Sequence, residues 1–416
     1  MSLRRLASVV PAIRSRLLEL GRWSVLLALF FVPIAKPGTN IALFLALLLA
    51  LAGSDMRQRF TRAAHEPVVL GCAAWFTVLF LSSLHAAGSA WPGELGSYKV
   101  LLYPLLVSAL LTTPQWRTRG LFAFAAAAVL VLLMSWSQLF GWMAPPDMTD
   151  VFEAYRYTVF NDYSQQGLQF LMLAVMAASF AAVAKSPVMR VSLWLIVATT
   201  LANVIFLLQS RTSYLTIAPL LLYGGWRLFV AYGKSWRLLV GGGLVIAALV
   251  SAASFAPRIQ QRLNAALNDI SQYQLNHLGT SLGIRLELWR RTLPIIAAAP
   301  WVGHGLGAWR HEYNVQTRDA ANFDAFRMGH PHQEALQILA EEGVIGLAIF
   351  IGLLLALARY LMRLPQPQRD FFLCLLIIYV SAGMVNCLLI DFVHRHGFLL
   401  LLACIPVLAK QEEAQA

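Results

Sequence analysis

Apolar residues run along this chain in unbroken blocks long enough, or nearly so, to cross a bilayer, which as helix takes about 20 residues. Such blocks predict spans near 22–35, 40–53, 67–85, 97–112, 119–142, 165–184, 190–208, 213–231, 237–255, 343–361, 371–390 and 397–409. The expectation is an all-α integral membrane protein of about twelve transmembrane helices. The helix-breaking stretch KPGTN (36–40) either turns the first two spans into a tight hairpin or breaks a re-entrant pair.

Between the blocks the polar positions sort by charge. Basic connections at 4–22, 55–62, 115–119, 184–190, 232–237 and 358–363, together with Lys410, fall on one side if the spans alternate. By the positive-inside rule that side, with both termini, is cytoplasmic. Composition agrees with lipid as the solvent: 59% of the 416 residues are hydrophobic and 12% charged, against about 45–50% and about 25% in ordinary soluble domains. The net charge of +12 is then mostly topological, and nucleic-acid binding is not expected. The basic start at 1–22 leads into the first apolar run without a small-residue cleavage site and is expected to be an uncleaved first helix. Cys72, Cys374, Cys387 and Cys404 fall inside expected spans, in no metal-binding spacing, and read as packing residues.

One connection departs from this rhythm. The organisation expected is residues 1–255 as transmembrane helices one to nine, 256–332 as a helical periplasmic loop, and 333–416 as helices ten to twelve. Within the loop, Ile259, Leu263, Leu267 and Ile270 recur at helical spacing, as in a helix lying on the membrane surface. A second helix is expected over 284–299, then a glycine-rich turn, PWVGHGLGAWR (300–310), whose alternating glycines are weak grounds for a phosphate loop.

The loop ends in GHPHQEALQILAEEGVIGLAIF (329–350). On a helix opening near Pro331, positions 332, 336, 339, 343 and 346 share one face. That would set His332 in a seam where Gly343 and Gly346 admit a neighbouring helix closely. A histidine at a helix mouth is commonly a cap or an interfacial residue; in such a seam it is also a candidate base, with His330 as its rival. Arg156, Arg211 and Arg285 lie on outward segments, against the charge bias, so charge orientation alone does not explain them and they are candidate site residues. Arg395, in DFVHRH (391–396), is a weaker candidate of the same kind. The outward carboxylates Asp147, Asp150, Glu153 and Asp162 are scattered along one loop, so no metal site is expected.

Several of these runs together resemble the O-antigen ligase and Wzy-type polymerase superfamily. His332, Leu336, Glu341, Gly343 and Gly346 match its His-Asn, Leu, Glu-x-Gly-x-x-Gly signature, with Gln333 in place of the Asn. SRTSYL (210–215) resembles its Ser-Arg step. Arg285, Trp289, Pro300, Gly303, Gly305 and Gly307 match its Arg-x-x-x-Trp helix and Pro-x-x-Gly-x-Gly-x-Gly turn. The similarity covers roughly 152–350.

What the resemblance implies is a glycosyltransferase of the GT-C type, without metal or other cofactor, in the bacterial inner membrane with its active site facing the periplasm. Its donor would be a glycan on undecaprenyl pyrophosphate, and its acceptor, if a ligase, a sugar hydroxyl of the lipid A-core in lipopolysaccharide biosynthesis. His332 would be the base of an inverting transfer, and Arg211, Arg285 and Arg156 would hold the diphosphate, with His330, Arg395, Glu341 and Gly343 as secondary positions. Besides these substrates and the surrounding lipids no partner is expected, and a monomer is favoured. A single dominant outer loop favours the ligase over the polymerase. The Arg156-x10-Gly167 spacing points the other way, and a protein O-oligosaccharyltransferase is a further alternative. A lipid-linked glycan transporter fits less well, since the expected spans are nearly free of charge.

Overall fold

A computed structural model describes residues 3–86, 91–144, 157–231, 281–318 and 329–405. Among the described residues there is no strand, and sixteen α-helices are found. They are α1 (Leu3–Phe31), α2 (Lys36–Ala52), α3 (Met56–Ala64), α4 (Pro67–Ser83), α5 (Trp91–Ser97), α6 (Tyr103–Leu110), α7 (Pro114–Leu139), α8 (Tyr163–Ala181), α9 (Pro187–Ala202) and α10 (Arg211–Ala231). After the undescribed stretch come α11 (Ser281–Ala298), α12 (Ala308–Thr317), α13 (Glu334–Glu341), α14 (Gly343–Leu361), α15 (Gln368–Gly383) and α16 (Phe392–Leu402).

Many of these helices start where the sequence supplies a proline. Proline stands in the first turn of α2, α4, α6, α7 and α9, where its missing N–H costs nothing and its fixed φ already suits a helix. Of the two expectations for KPGTN the hairpin holds, but its turn is not at KPGTN. The chain breaks at 32–35 instead, and Lys36-Pro37 opens α2, which returns along α1 as a hairpin. The basic stretch at 55–62 is likewise helical rather than a plain loop: α3 is bent by 120° from α2.

By length and composition, four helical segments among the described residues are fit to cross a membrane: Pro114–Leu139, Pro187–Leu208, Arg211–Ala231 and Gly343–Leu361. The other expected spans also fall on helices, shorter or less apolar, except 237–255, which lies outside the described residues, as does the expected surface helix near 259–270. The protein is thus an all-helical, multi-pass membrane protein. Its core is built where α1, α7, α8, α15 and α16 meet, around Phe124, Phe170, Phe371, Phe372 and Leu400. By contrast α10 and α14 bury little and present Leu222, Ile345, Ile351 and Leu355 outward, as helices facing lipid do. The four cysteines are free and buried.

At the end of the bundle expected to be cytoplasmic, arginines finish helices. Arg59 Nη1 donates to Ala109 O (3.2 Å), Arg22 Nε to Leu110 O (3.1 Å) and Arg117 Nε to Leu111 O (2.9 Å), so three consecutive carbonyls at the end of α6 each take a guanidinium. Arg59 also reaches Ala50 O and Ser54 O at the end of α2. The last carbonyls of a helix have no partner within it and carry the negative end of its dipole. Part of the positive charge is therefore structural as well as topological.

Candidate active site

At the opposite end, five pieces of chain converge: the first turns of α8 and α10, the helix α11, and the loops at 329–333 and 384–391. Each is aimed by local chemistry. Asp162 caps α8, its Oδ1 accepting from Ser164 N (2.8 Å) and Gln165 N (2.9 Å). Ahead of α10 the chain makes a π-helical turn, Asn203–Leu208, then a left-handed residue at Gln209 (φ 51). Ser210 Oγ accepts from Ser213 N (3.3 Å) and starts the helix at Arg211. Gly167 makes the approach of α8 and α10 possible, since a Cβ there would come 2.3 Å from Ser213 Oγ.

Helix α11 is held by a small separate core of Leu288, Ile295, Trp309, Tyr313 and Ala340. Trp309 stacks on Tyr313 with centroids 4.8 Å apart and donates from Nε1 to Thr292 Oγ1 (2.9 Å). Arg285 and Trp289, four residues apart, are neighbours along this helix, and Trp289 packs against the same core. Trp289 Nε1 donates to Pro331 O (3.0 Å), which ties α11 to the peptide between the two histidines.

His332 does not begin a helix. It lies before α13 with φ 54, a left-handed conformation rare for a residue with a side chain. His330 holds that turn: its Nδ1 accepts from His332 N (3.2 Å), and the two rings meet edge to face at 4.3 Å. Gln333 follows as the N-cap of α13, its side-chain oxygen accepting from Leu336 N, so the amide at this position has a capping role.

The expected stripe from His332 through Gly346 is overturned as well. At Gly343, φ is +68 and the helix breaks in two. What approaches Gly343 is the turn at 300–302, not a neighbouring helix: a Cβ there would stand 2.4 Å from Trp301 C. Gly303 in return lies on the backbone of Glu341, Gly305 N donates to Glu341 O (2.9 Å), and His304 N donates to Ala340 O (2.9 Å). The Glu341 carboxylate turns inward and accepts from Trp309 N (3.3 Å) and from the Gly307 backbone. Burial raises this carboxyl above the usual range, against the pull of those hydrogen bonds. The glycine series, Glu341 and Gly343 thus form a latch that seats α11.

The electrostatics tie the histidines to the arginines. Burial lowers the Arg285 guanidinium, Tyr163 opposes this, and the like charge of Arg211 adds to it, so the two arginines are neighbours. Burial first, then His330 and Arg285, push the His332 imidazole down to about 3, while Asn386 works the other way. His330 is lowered too, by burial, with Asp391 opposing and Arg285 adding. Both rings are neutral near pH 7. The Nδ1 atom of His332 is buried without a hydrogen-bond partner among the described residues.

Two residues here escaped the sequence reading. Asn386 donates to Ser164 Oγ (3.3 Å) and Thr212 Oγ1 (3.2 Å), stitching the first turns of α8 and α10 beside His332. Asp391 caps α16 by accepting from His394 N (2.9 Å), and it also takes the Gln165 amide. Burial alone would raise its carboxyl, but His394 and Gln165 outweigh that and hold it well below the usual carboxylate range. Neither stands in a run with a distinctive spacing, so only the fold brings them in. Arg395 faces elsewhere: it donates to Leu389 O (3.4 Å) and has Tyr98, Asp391, Tyr103 and Glu94 as electrostatic neighbours. Arg156, with Asp147, Asp150 and Glu153, lies outside the described residues.

Arg211, Arg285, His330 and His332 are therefore brought together, with the N-termini of α8 and α10 adding positive potential from their dipoles. Such a place suits a polyanionic group next to a neutral base. On the far flank of α15, an apolar cleft of about 480 Å³ opens between α4 and α14, with Trp75, Phe350, Tyr379 and Leu389 among its walls.

Residues 195–351 match the protein-family model described as O-antigen ligase. A Haemophilus influenzae protein, itself described as uncharacterized, is 33% identical over 114 residues, which are 26% of this chain and 27% of that protein. The similarity thus spans about a quarter of that relative's length.

Proposed function

We propose, from the match of residues 195–351 to the O-antigen ligase family model, that this chain transfers a glycan from undecaprenyl pyrophosphate to a sugar hydroxyl of lipid A-core. Glycosyl transfer of the O-antigen ligase and polymerase kind is the family's broad activity. The finer reading rests on one observation above all: Arg285 lies within electrostatic reach of both Arg211 and the neutral His332.

In this reading the paired guanidiniums hold the diphosphate, whose departure from the anomeric carbon needs its growing charge stabilised. Their forked donors supply the charge that a divalent cation supplies in other transferases. His332 removes the proton of the acceptor hydroxyl as that oxygen attacks opposite the leaving group, which inverts the anomeric centre. In the free protein the imidazole is a weak base because of its burial and the nearby cations. A bound diphosphate offsets the arginine charge and adds its own, which raises the histidine toward the strength its task needs. His330, whose Nδ1 is occupied in shaping the turn, serves as support.

We further infer a GT-C-like bundle of about twelve spans in the bacterial inner membrane, with the site facing the periplasm and Arg156 joining the diphosphate contacts. Purified protein incubated with the polyprenyl-linked glycan and lipid A-core, each omitted in turn, tests the ligase reading. Product is expected only with both, and in chelator as well as in Mg²⁺. Elongation of the lipid-linked glycan alone would make it a polymerase, and loss of transfer in chelator would overturn the role of the arginines.

A further inference from the structure

The turn that latches onto Glu341 has a second face. Helix α14 has 19 residues, about 28 Å at 1.5 Å per residue, close to the roughly 30 Å of a bilayer's hydrocarbon core. Its first residue, Gly343, therefore stands at a membrane boundary, at the end that carries the site. Val344 N donates to Pro300 O (2.8 Å) and Ile345 N to Trp301 O (3.2 Å), which fuses the turn at 300–302 to this first helical turn. Yet the side chains of Trp301 and Val302 point away from the protein, 68% and 53% exposed, continuous with the outward Val344 and Ile345.

A tryptophan and a valine left bare at that height are costly in water and favourable at the level of the lipid headgroups, where the amphipathic indole ring collects. We propose that the turn at 300–302 is a membrane-interface anchor: Trp301 and Val302 insert at the headgroup boundary of the leaflet on the site side. Through the helix that ends just before it, the turn holds Arg285 at a fixed height above the hydrocarbon. The occupant of this apolar patch is the bilayer itself. The inserting side chains are uncharged, so zwitterionic and anionic lipids should serve alike.

The test does not depend on catalysis. All four native cysteines are buried, so Trp301→Cys offers one selective site for a nitroxide label, with Val344→Cys as a lipid-facing reference. Both labelled proteins are placed in phosphatidylcholine vesicles with and without phosphatidylglycerol. Relaxation by oxygen, which concentrates in lipid, is compared with relaxation by a water-soluble nickel chelate. The label at 301 should be relaxed mainly by oxygen, as at 344, in both compositions. Relaxation mainly by nickel would place the turn in water and overturn the proposal. So would a label shielded from both reagents, since a protein surface such as a second copy would then cover the patch.

Discussion

Consider replacing Arg211 and Arg285 by alanine, singly and together. Hydrogen bonds to charged groups contribute about 1.5–3 kcal/mol each, so each single variant should bind donor roughly 10- to 150-fold more weakly at 1.36 kcal/mol per decade. The two charges also repel one another in the empty site, where Arg285 is lowered by burial and by Arg211. A shared diphosphate relieves that repulsion, and either single substitution forfeits the relief. The double variant should accordingly lose less than the sum of the singles, by the roughly 0.5–3 kcal/mol typical of side chains that share a partner. Arg285→Lys should recover part of the loss, keeping the charge without the fork. Titration of the polyprenyl-diphosphate glycan into nanodisc-held variants, followed by calorimetry, measures all four corners of the cycle. Losses that add to within about 0.3–0.5 kcal/mol, or singles that bind donor normally, would refute a common diphosphate site.

His332→Ala should cut turnover by about 10²–10⁴, the usual contribution of a general base, with donor affinity near wild type; turnover kept within a few-fold would return the residue to a purely structural role. Activity should fall as acid protonates His332, and the acid limb of kcat should lie at higher pH than that of kcat/KM, because kcat/KM reports the free protein, where the imidazole is pushed down to about 3. Coincident limbs in the two pH profiles would mean that the donor does not raise the histidine. Glu341→Ala should leave Trp309 N and the Gly307 backbone unsatisfied in a buried place, at about 1–3 kcal/mol each; an unchanged Tm would refute the latch.

Much of the helical content was legible in the sequence, because in lipid the backbone must satisfy itself and long apolar blocks leave little choice. Where each helix begins was less so: KPGTN holds a proline and a glycine, and only the preceding turn at 32–35 decides that they open a helix. The four cardinal positions, Arg211, Arg285, His330 and His332, were visible as charge or chemistry out of keeping with their segments. The periodicity that joined His332 to Gly343 misled, since it assumes an unbroken helix. What breaks it is the turn at 300–302, a tertiary partner that no local window contains. The helix Ala308–Thr317 was missed for a related reason: its apolar face, Trp309 and Tyr313, packs only against α11 and α13. Asn386 was hidden inside an expected span and Asp391 in the connection that follows it, and each acts through a partner more than two hundred residues away.

The arginines that finish α6 are read twice in the life of the chain. During insertion each counts only as a positive charge that resists crossing, and a lysine would serve equally well. Once the bundle has closed, Arg59 and Arg117 are buried and are needed for the reach and breadth of a guanidinium, which bonds several carbonyls at once. Lysine at 59 or 117 would therefore leave a correctly oriented chain that assembles poorly, separating the signal that threads the polypeptide from the joint that locks it.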